Sequence, residues 1–241
     1  MKGVFSERST DSRNVLDYES PGGIREHLLA RRPKMRAVIN FTGEMSMAEI
    51  HPKKIHGNWR YGVALDVHTT GSVYTGDNEF GHPTFSNTYS EMGDLLNRLK
   101  YHGDQTAAPK IIAAATRYLR AAFPAFDVIV PVRPSTPRRV QPVLTVANGI
   151  AEKLGIPMID CIFKTRDVGQ VKNITDPEKR AKALEGLYNV NSRKVAGKRV
   201  LLFDDLFRSG ATMNEITHVL LTEGEATDVY ALAVTRTRKR R

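Results

Sequence analysis

From residue 127 onward the chain alternates short apolar runs with amphipathic stretches, and this constrains its fold more than any other feature. The runs "DVIVPV", "PMIDCIF", "RVLLF" and "DVYALAV" are apolar at consecutive positions, not at every second one. Such a strand has to be covered on both faces, as in a parallel sheet. Between them lie two helical patterns. "VQPVLTVANGIAEKLG" puts Val143, Val146, Ala147, Ile150 and Leu154 on one face and closes with Gly155. "ATMNEITHVLLTEG" does the same with Met213, Ile216, Val219 and Leu220, ending at Gly224. Strands and helices in turn predict an α/β fold, a parallel sheet flanked by helices.

Upstream the texture differs. "WRYGVALDVHTT" and "GSVYTG" are rich in β-branched and aromatic residues around Gly71 and predict a hairpin. "SNTYSEMGDLLNRLKY" predicts a helix with Met92, Leu95, Leu96 and Leu99 on one face and Ser90 or Asn87 as its cap. A second helix is expected from about residue 107 to 123, striped by Ile111, Ala115, Leu119 and Ala122. Residues 1–57 are polar and basic and read as an N-terminal extension. Residues 58–104 read as a hairpin-and-helix hood, and 105–241 as the core. Within that core, residues 164–191 form a long charged insertion, expected to be a lid. It carries a capping box, Thr175 with Glu178, ahead of a short helix. Residues 236–241 form a basic tail.

Composition removes several classes of function. The single cysteine, Cys161, rules out an intrachain disulfide and a cysteine zinc site. Its apolar setting makes it a core residue, as Trp59 is expected to be a core anchor. No apolar run approaches the roughly 20 residues a membrane span needs. The N-terminal stretch has no apolar segment of the signal-peptide kind, so the expected location is the cytoplasm and no membrane partner is expected. The formal charge is +10, to which Arg236, Arg238, Lys239, Arg240 and Arg241 contribute five. That balance suits phosphorylated ligands, and the tail could touch nucleic acid. His51 and His56 have no metal-binding company and read as surface residues; Tyr101 and His102 either line a pocket or finish a helix.

The densest chemistry lies in "VLLFDDLFRSGATMNEI". Asp204 and Asp205 follow a buried strand, at the end where open α/β sheets bind ligands. The turn of Arg208, Ser209, Gly210, Ala211 and Thr212 then enters a helix, whose first N–H groups and dipole attract an anion. Gly210 permits a close backbone approach, and Ser209 and Thr212 offer hydroxyls. A phosphate cradle beside two carboxylates suits a sugar phosphate.

This stretch resembles the phosphoribosyl pyrophosphate signature of the type I phosphoribosyltransferases. "DVIVPVRPSTPRR" resembles the strand and pyrophosphate loop of their ComF-like branch. "FKTRDVGQ" and "DPEKRAKALEGLYNV" resemble its lid, "LLNRLKYHGD" a further segment, and "ALAVTRTR" its closing strand. The chain departs from that branch in lacking a four-cysteine zinc element, and it carries Arg208 where many relatives have threonine.

The resemblance implies a type I phosphoribosyltransferase-like sheet with a hairpin-and-helix hood. It also implies a magnesium-dependent transfer of ribose 5-phosphate from phosphoribosyl pyrophosphate to, or from, a nitrogen nucleophile that the sequence does not identify. Asp204 and Asp205 would hold the ribose hydroxyls, and Arg208 to Thr212 the 5-phosphate. Val132, Arg133 and Pro134 would meet pyrophosphate, with Lys164, Arg166 and Lys172 closing from the lid. Magnesium would be held mainly by the substrate, with the acid pair in its outer shell, and no residue is expected as a direct ligand. A homodimer fits the class. Two alternatives stay open: a non-catalytic phosphoribosyl pyrophosphate or nucleotide sensor, and a ComF-like accessory factor in DNA uptake.

Overall fold

The computed structural model describes residues 48–134, 141–166, 174 and 176–238. They belong to one compact unit, Asn40–Arg241. Lys172, Thr175, the Glu178 side chain and the tail residues Lys239, Arg240 and Arg241 lie outside the described residues, as does the extension up to residue 47.

The expected α/β architecture is present. The elements are β1 (Lys53–Lys54), β2 (Tyr61–Val67), β3 (Thr69–Asp77), β4 (Pro83–Tyr89), α1 (Glu91–Tyr101), α2 (Ala107–Ala122), β5 (Val128–Pro131) and α3 (Pro142–Leu154). They continue with β6 (Ile162–Lys164), α4 (Pro177–Leu184), β7 (Tyr188–Val190), a 3₁₀ turn at Ser192–Lys194, β8 (Arg199–Phe207), α5 (Ala211–Thr222) and β9 (Asp228–Arg236). The main sheet has the order β1-β2-β9-β8-β5. Its β2–β9, β9–β8 and β8–β5 pairs are parallel, and only the two-residue edge strand β1 runs antiparallel. Two layers of core follow from the strand pleat. Leu201, Phe203, Leu232 and Val234 pack on α1, α2 and α3. Val200, Leu202, Ala231 and Ala233 pack on the α5 side with Ile216 and Leu220.

Three expectations need correction. First, "YGVALDV" is not half of a hairpin. It is β2, buried along five consecutive residues and paired to β9 inside the main sheet. The hairpin lies one strand further on, as β3 with β4, and turns at 78–82, where Asn78 Oδ1 accepts from the Phe80 and His82 amides. Second, α1 starts at Glu91, because Ser90 caps it by accepting from Gly93 N at 3.0 Å. Asn87 is a strand residue of β4. Gly93 is required there: a Cβ would sit 2.0 Å from the His68 carbonyl oxygen. Third, "PMIDCIF" splits. Met158 makes a lone parallel bridge to Ile129, whereas Ile162–Lys164 leaves to pair with β7.

The packed unit also begins before the composition break at Trp59. Ala48 and Ile55 are buried in the two core layers, and Ile55 O accepts from Trp59 Nε1. Asp66, 3% exposed, is reached by His51 Nδ1 at 3.0 Å; His51 is exposed, as expected, and also tied to the sheet. Polar neighbours hid these contacts, since a few apolar residues spaced along a basic stretch carry no periodic signal. Ile55→Ala is expected to cost roughly 2–5 kcal/mol, the range for a fully buried isoleucine. A urea melt should show a lower midpoint at unchanged slope, and an unchanged midpoint would return residues 48–57 to the extension.

Candidate active site

The site exists because two neighbouring strands end at different heights. β5 pairs with Val200 to Phe203 and stops at Pro131. One further bond, Val132 N to Phe203 O at 2.8 Å, closes the register. β8 runs on past Asp204 and Asp205 to Phe207, held only by β9 on its other side. The acids are therefore inside the strand and not after it, as the sequence pattern suggests. A cavity of about 320 Å³ opens beside that overhang, large enough for a small ligand.

The pleat sends the two carboxylates to opposite faces. Asp205 shares a side with Leu201 and Phe203, and there Lys100, on the last turn of α1, reaches it at 2.8 Å. Both side chains are mostly buried, 17% and 13% exposed, so this pair is screened far less than a surface one. Asp204 accepts from the Asp205 amide at 2.8 Å. Burial first, and the Asp205 charge second, push the Asp204 carboxyl above its ordinary range.

The turn from β8 into α5 is held from below. Gly210 has φ +81°, and a Cβ there would approach the Phe207 ring to 2.9 Å, so glycine is needed on both counts. Phe207 packs edge-on against Trp59, centroids 6.0 Å apart, which confirms Trp59 as a core anchor. Gly210 brings no side-chain cap to α5. The first-turn amides thus face the cavity without a capping carboxylate or hydroxyl from that residue. Ser209 Oγ offers only a long contact to Ala211 N, 3.5 Å.

Arg208, Ser209, Gly210, Ala211 and Thr212 all line the cavity, as do Val132, Arg133, Pro134, Asp204 and Asp205. Arg133 is engaged: its Nε and Nη2 donate to both Asp160 oxygens at 3.0 and 2.9 Å, which raises its own pKa. The lid residues behave differently. Lys164 is exposed on β6, and Arg166 donates to Glu185 O at 2.9 Å; neither lines the cavity. Spacing could not reveal this, because the ends of the insertion zip into the β6–β7 ribbon and turn both cations away. Among the described lid residues, Tyr188 of β7 lines the cavity.

Among the lining residues with no role assigned from the sequence are three polar ones, Lys100, Gln141 and Tyr188. Lys100 and Tyr101 sit in "LLNRLKYHGD", a segment noted for its resemblance alone; Tyr101 lines the cavity, while the backbone of His102 caps α1 by donating to Arg98 O. His68 lies near enough for the Lys100 charge to act on it, and burial chiefly, then that charge, depress its pKa. Cys161 is buried and its thiol is pushed up by burial to about 11, which fits a core residue.

No family model matches the chain. The competence protein ComFC of Bacillus subtilis is 25% identical over 153 residues, which are 62% of this chain and 62% of that protein. Amidophosphoribosyltransferase of Saccharomyces cerevisiae is 25% identical over 221 residues, 89% of this chain and 39% of the relative. The chain resembles the type I phosphoribosyltransferases, with a ComF-like link. It spans less than two thirds of the length of both curated relatives. Among solved structures, an adenine phosphoribosyltransferase from Trypanosoma brucei aligns over 76% of this chain and 73% of its own at 15% identity and a TM-score of 0.42. The allosteric regulatory enzyme of purine biosynthesis aligns over 53% of this chain and 25% of its own at 26% identity and a TM-score of 0.38.

The raised Asp204 sets a testable pH dependence. Its proton is held more tightly in the folded than in the unfolded chain. The folded state therefore binds more protons, and stability falls as pH rises above the ordinary carboxylate value of 3.8. Asp204→Asn removes the cost of ionising there. The variant should melt higher than the parent at neutral pH, with the gain shrinking as pH falls toward the ordinary carboxylate value of 3.8, where the folded Asp204 carboxyl is already protonated. A gain that grows on acidification would reverse the assignment.

Proposed function

We propose that the chain is a magnesium-dependent phosphoribosyltransferase that uses phosphoribosyl pyrophosphate and a nitrogen nucleophile. One observation carries the reading: a single cavity joins the Asp204–Asp205 pair, an uncapped helix N-terminus and the Val132–Arg133–Pro134 loop. These match, in order, the needs of a ribose, its 5-phosphate and a diphosphate.

The donor set suits magnesium held through substrate. Among the described residues no group of three metal-binding side chains occurs, and the cavity offers only the two hard carboxylates. Magnesium commonly sits between one or two carboxylates and substrate phosphates, keeping several waters. Asp204 and Asp205 would face it from its outer shell, and the ion would neutralise the departing diphosphate. Lys164 and Arg166 could join only if the lid moves, together with Lys172.

The protein's own contribution is placement and charge. Asp204 and Asp205 accept bonds from the ribose hydroxyls and stabilise the positive charge that develops on the ring as the bond to diphosphate breaks. Lys100 holds Asp205 in place through their 2.8 Å ion pair. The amides of the 208–212 turn hold the 5-phosphate, with Arg208 adding a charged donor. Val132 N is already bonded to Phe203 O, so the loop gives up its remaining donors and not that one. Closure of the lid excludes water from a cationic intermediate.

A second reading keeps the pocket without turnover, as a nucleotide sensor or a factor in DNA uptake. The likeness to a competence protein favours it. Calorimetry and a product assay separate the two. Phosphoribosyl pyrophosphate should bind with magnesium and not without it; no heat in either condition would end the pocket assignment. Pyrophosphate release with a panel of bases and amines marks an enzyme, and binding without release marks a sensor. Asp205→Asn should lower turnover by roughly 10²–10³-fold, the scale for losing one electrostatic contact to the transition state, while the melting temperature shows an intact fold.

A further inference from the structure

Among the described residues, the β3–β4 hairpin meets the rest of the protein only near its base. β3 pairs with β4 and β4 with β3, and neither joins the main sheet. From residue 72 to 88 all residues but Gly76 are exposed, on both faces of the ribbon. Large apolar side chains are among them: Val73 at 68% exposure, Tyr74 at 55%, Phe80 at 74% and Phe85 at 46%. Tyr74 and Phe85 pair across the strands, ring centroids 5.8 Å apart. A lone two-stranded ribbon is marginal in water and gains stability when a third strand or another surface covers it.

The two edges of the ribbon are not equivalent. β3 is irregular: its register shifts between Thr69 and Gly71 and again between Tyr74 and Gly76. Bulges of this kind twist an edge and discourage pairing. β4 runs from Pro83 to Tyr89 without a break, and "PTFSNTY" holds no charged residue. Proteins that keep an edge single protect it with lysines, prolines or bulges; β4 has only Pro83, at its first position. Its outer side presents a row of backbone donors and acceptors to solvent.

We propose that β4 pairs antiparallel with β4 of a second copy of this chain, giving a four-stranded sheet across a two-fold axis. Antiparallel pairing of identical strands is two-fold symmetric by construction, so one edge serves both partners. Charge favours the same occupant. Residues 69–89 contain Asp77 and Glu79 and no lysine or arginine, in a chain of formal charge +10. Both acids sit at the hairpin tip. At its base, Arg238 donates to the Thr70 carbonyl. Antiparallel pairing brings each acidic tip toward the other copy's basic base. The acids and the lack of cations on the arm disfavour nucleic acid as the occupant.

The chain provides its own probe, because its one native cysteine, Cys161, is buried. Around the two-fold axis some residue of β4 faces its own copy. Single cysteines placed at each position from 84 to 88 should give one strong disulfide-linked dimer under mild oxidation, with weak or no linkage at the other positions. A cysteine at Val73, on the bulged strand, should stay unlinked. Sedimentation of the unmodified chain should show a dimer that dissociates on dilution. Successive residues of a strand point their N–H groups to opposite edges. Of Ser86→Pro and Asn87→Pro, therefore, one blocks only the outer edge and should yield a folded monomer, judged by an unchanged circular dichroism spectrum. A wild-type monomer at tens of micromolar, or equal cross-linking at Val73 and throughout β4, would overturn the proposal. Phosphoribosyl pyrophosphate binding is read separately, since the arm lines no part of the cavity.

Discussion

The whole site hangs on an unequal pair of strands. Pro131 ends β5 at the level of Phe203, while β8 continues for four more residues against β9 alone. A strand with one neighbour can leave its other side to side chains and solvent. Here that side faces a gap walled by the 132–134 loop, the end of α1 and the start of α5. Had β5 been as long as β8, backbone hydrogen bonds would fill the place where two carboxylates now stand. The site is the unfilled end of a sheet, and its depth is set by the point at which β5 leaves β8, just past Val132.

Charge in that gap is distributed unevenly. Among the described residues, Asp205 alone of the two makes an ion pair, with Lys100. Lys100 comes from a helix packed against one face of the sheet, so only Asp205, on that face, can meet it. Asp204 faces the opposite layer and keeps its proton more readily. Two adjacent carboxylates in similar surroundings would compete for ionisation; strand alternation gives them different surroundings at no cost in sequence. The ordinary geometry of a pleat is what separates their roles.

Much of this was readable in the amino acids. The strands and helices of the C-terminal half are long, periodic and closed by glycines, and local pattern and tertiary fold agree there. The acid pair and the 208–212 turn were legible because strand, turn and helix are contiguous. The errors came where pairing is non-local. Nothing in "YGVALDV" distinguishes a hairpin arm from a parallel strand whose partner, β9, lies more than 160 residues away. "TFSNTY" lost its strand to the helix that follows, since polar residues carry no stripe of either period. Lys100 meets Asp205 across 105 residues, and no spacing rule joins a helix end to a distant strand. The pairing of Arg133 with Asp160 spans 27 residues and was equally invisible to spacing.

The ribbon of β6 and β7 at the base of the lid separates that segment from the core. Three residue pairs zip its two ends together, and Thr165 N to Leu187 O extends the zip by one more bond. Gly186 N donates to Glu215 Oε1 and so fastens the ribbon to α5, the helix that opens at the phosphate turn. Chain inserted between β6 and β7 therefore closes a loop whose ends are already fixed. Doubling such a loop costs only about 0.6 kcal/mol. Its length and composition are accordingly free to drift over generations without disturbing the sheet. Selection can therefore rewrite this insertion without a stability cost to the sheet.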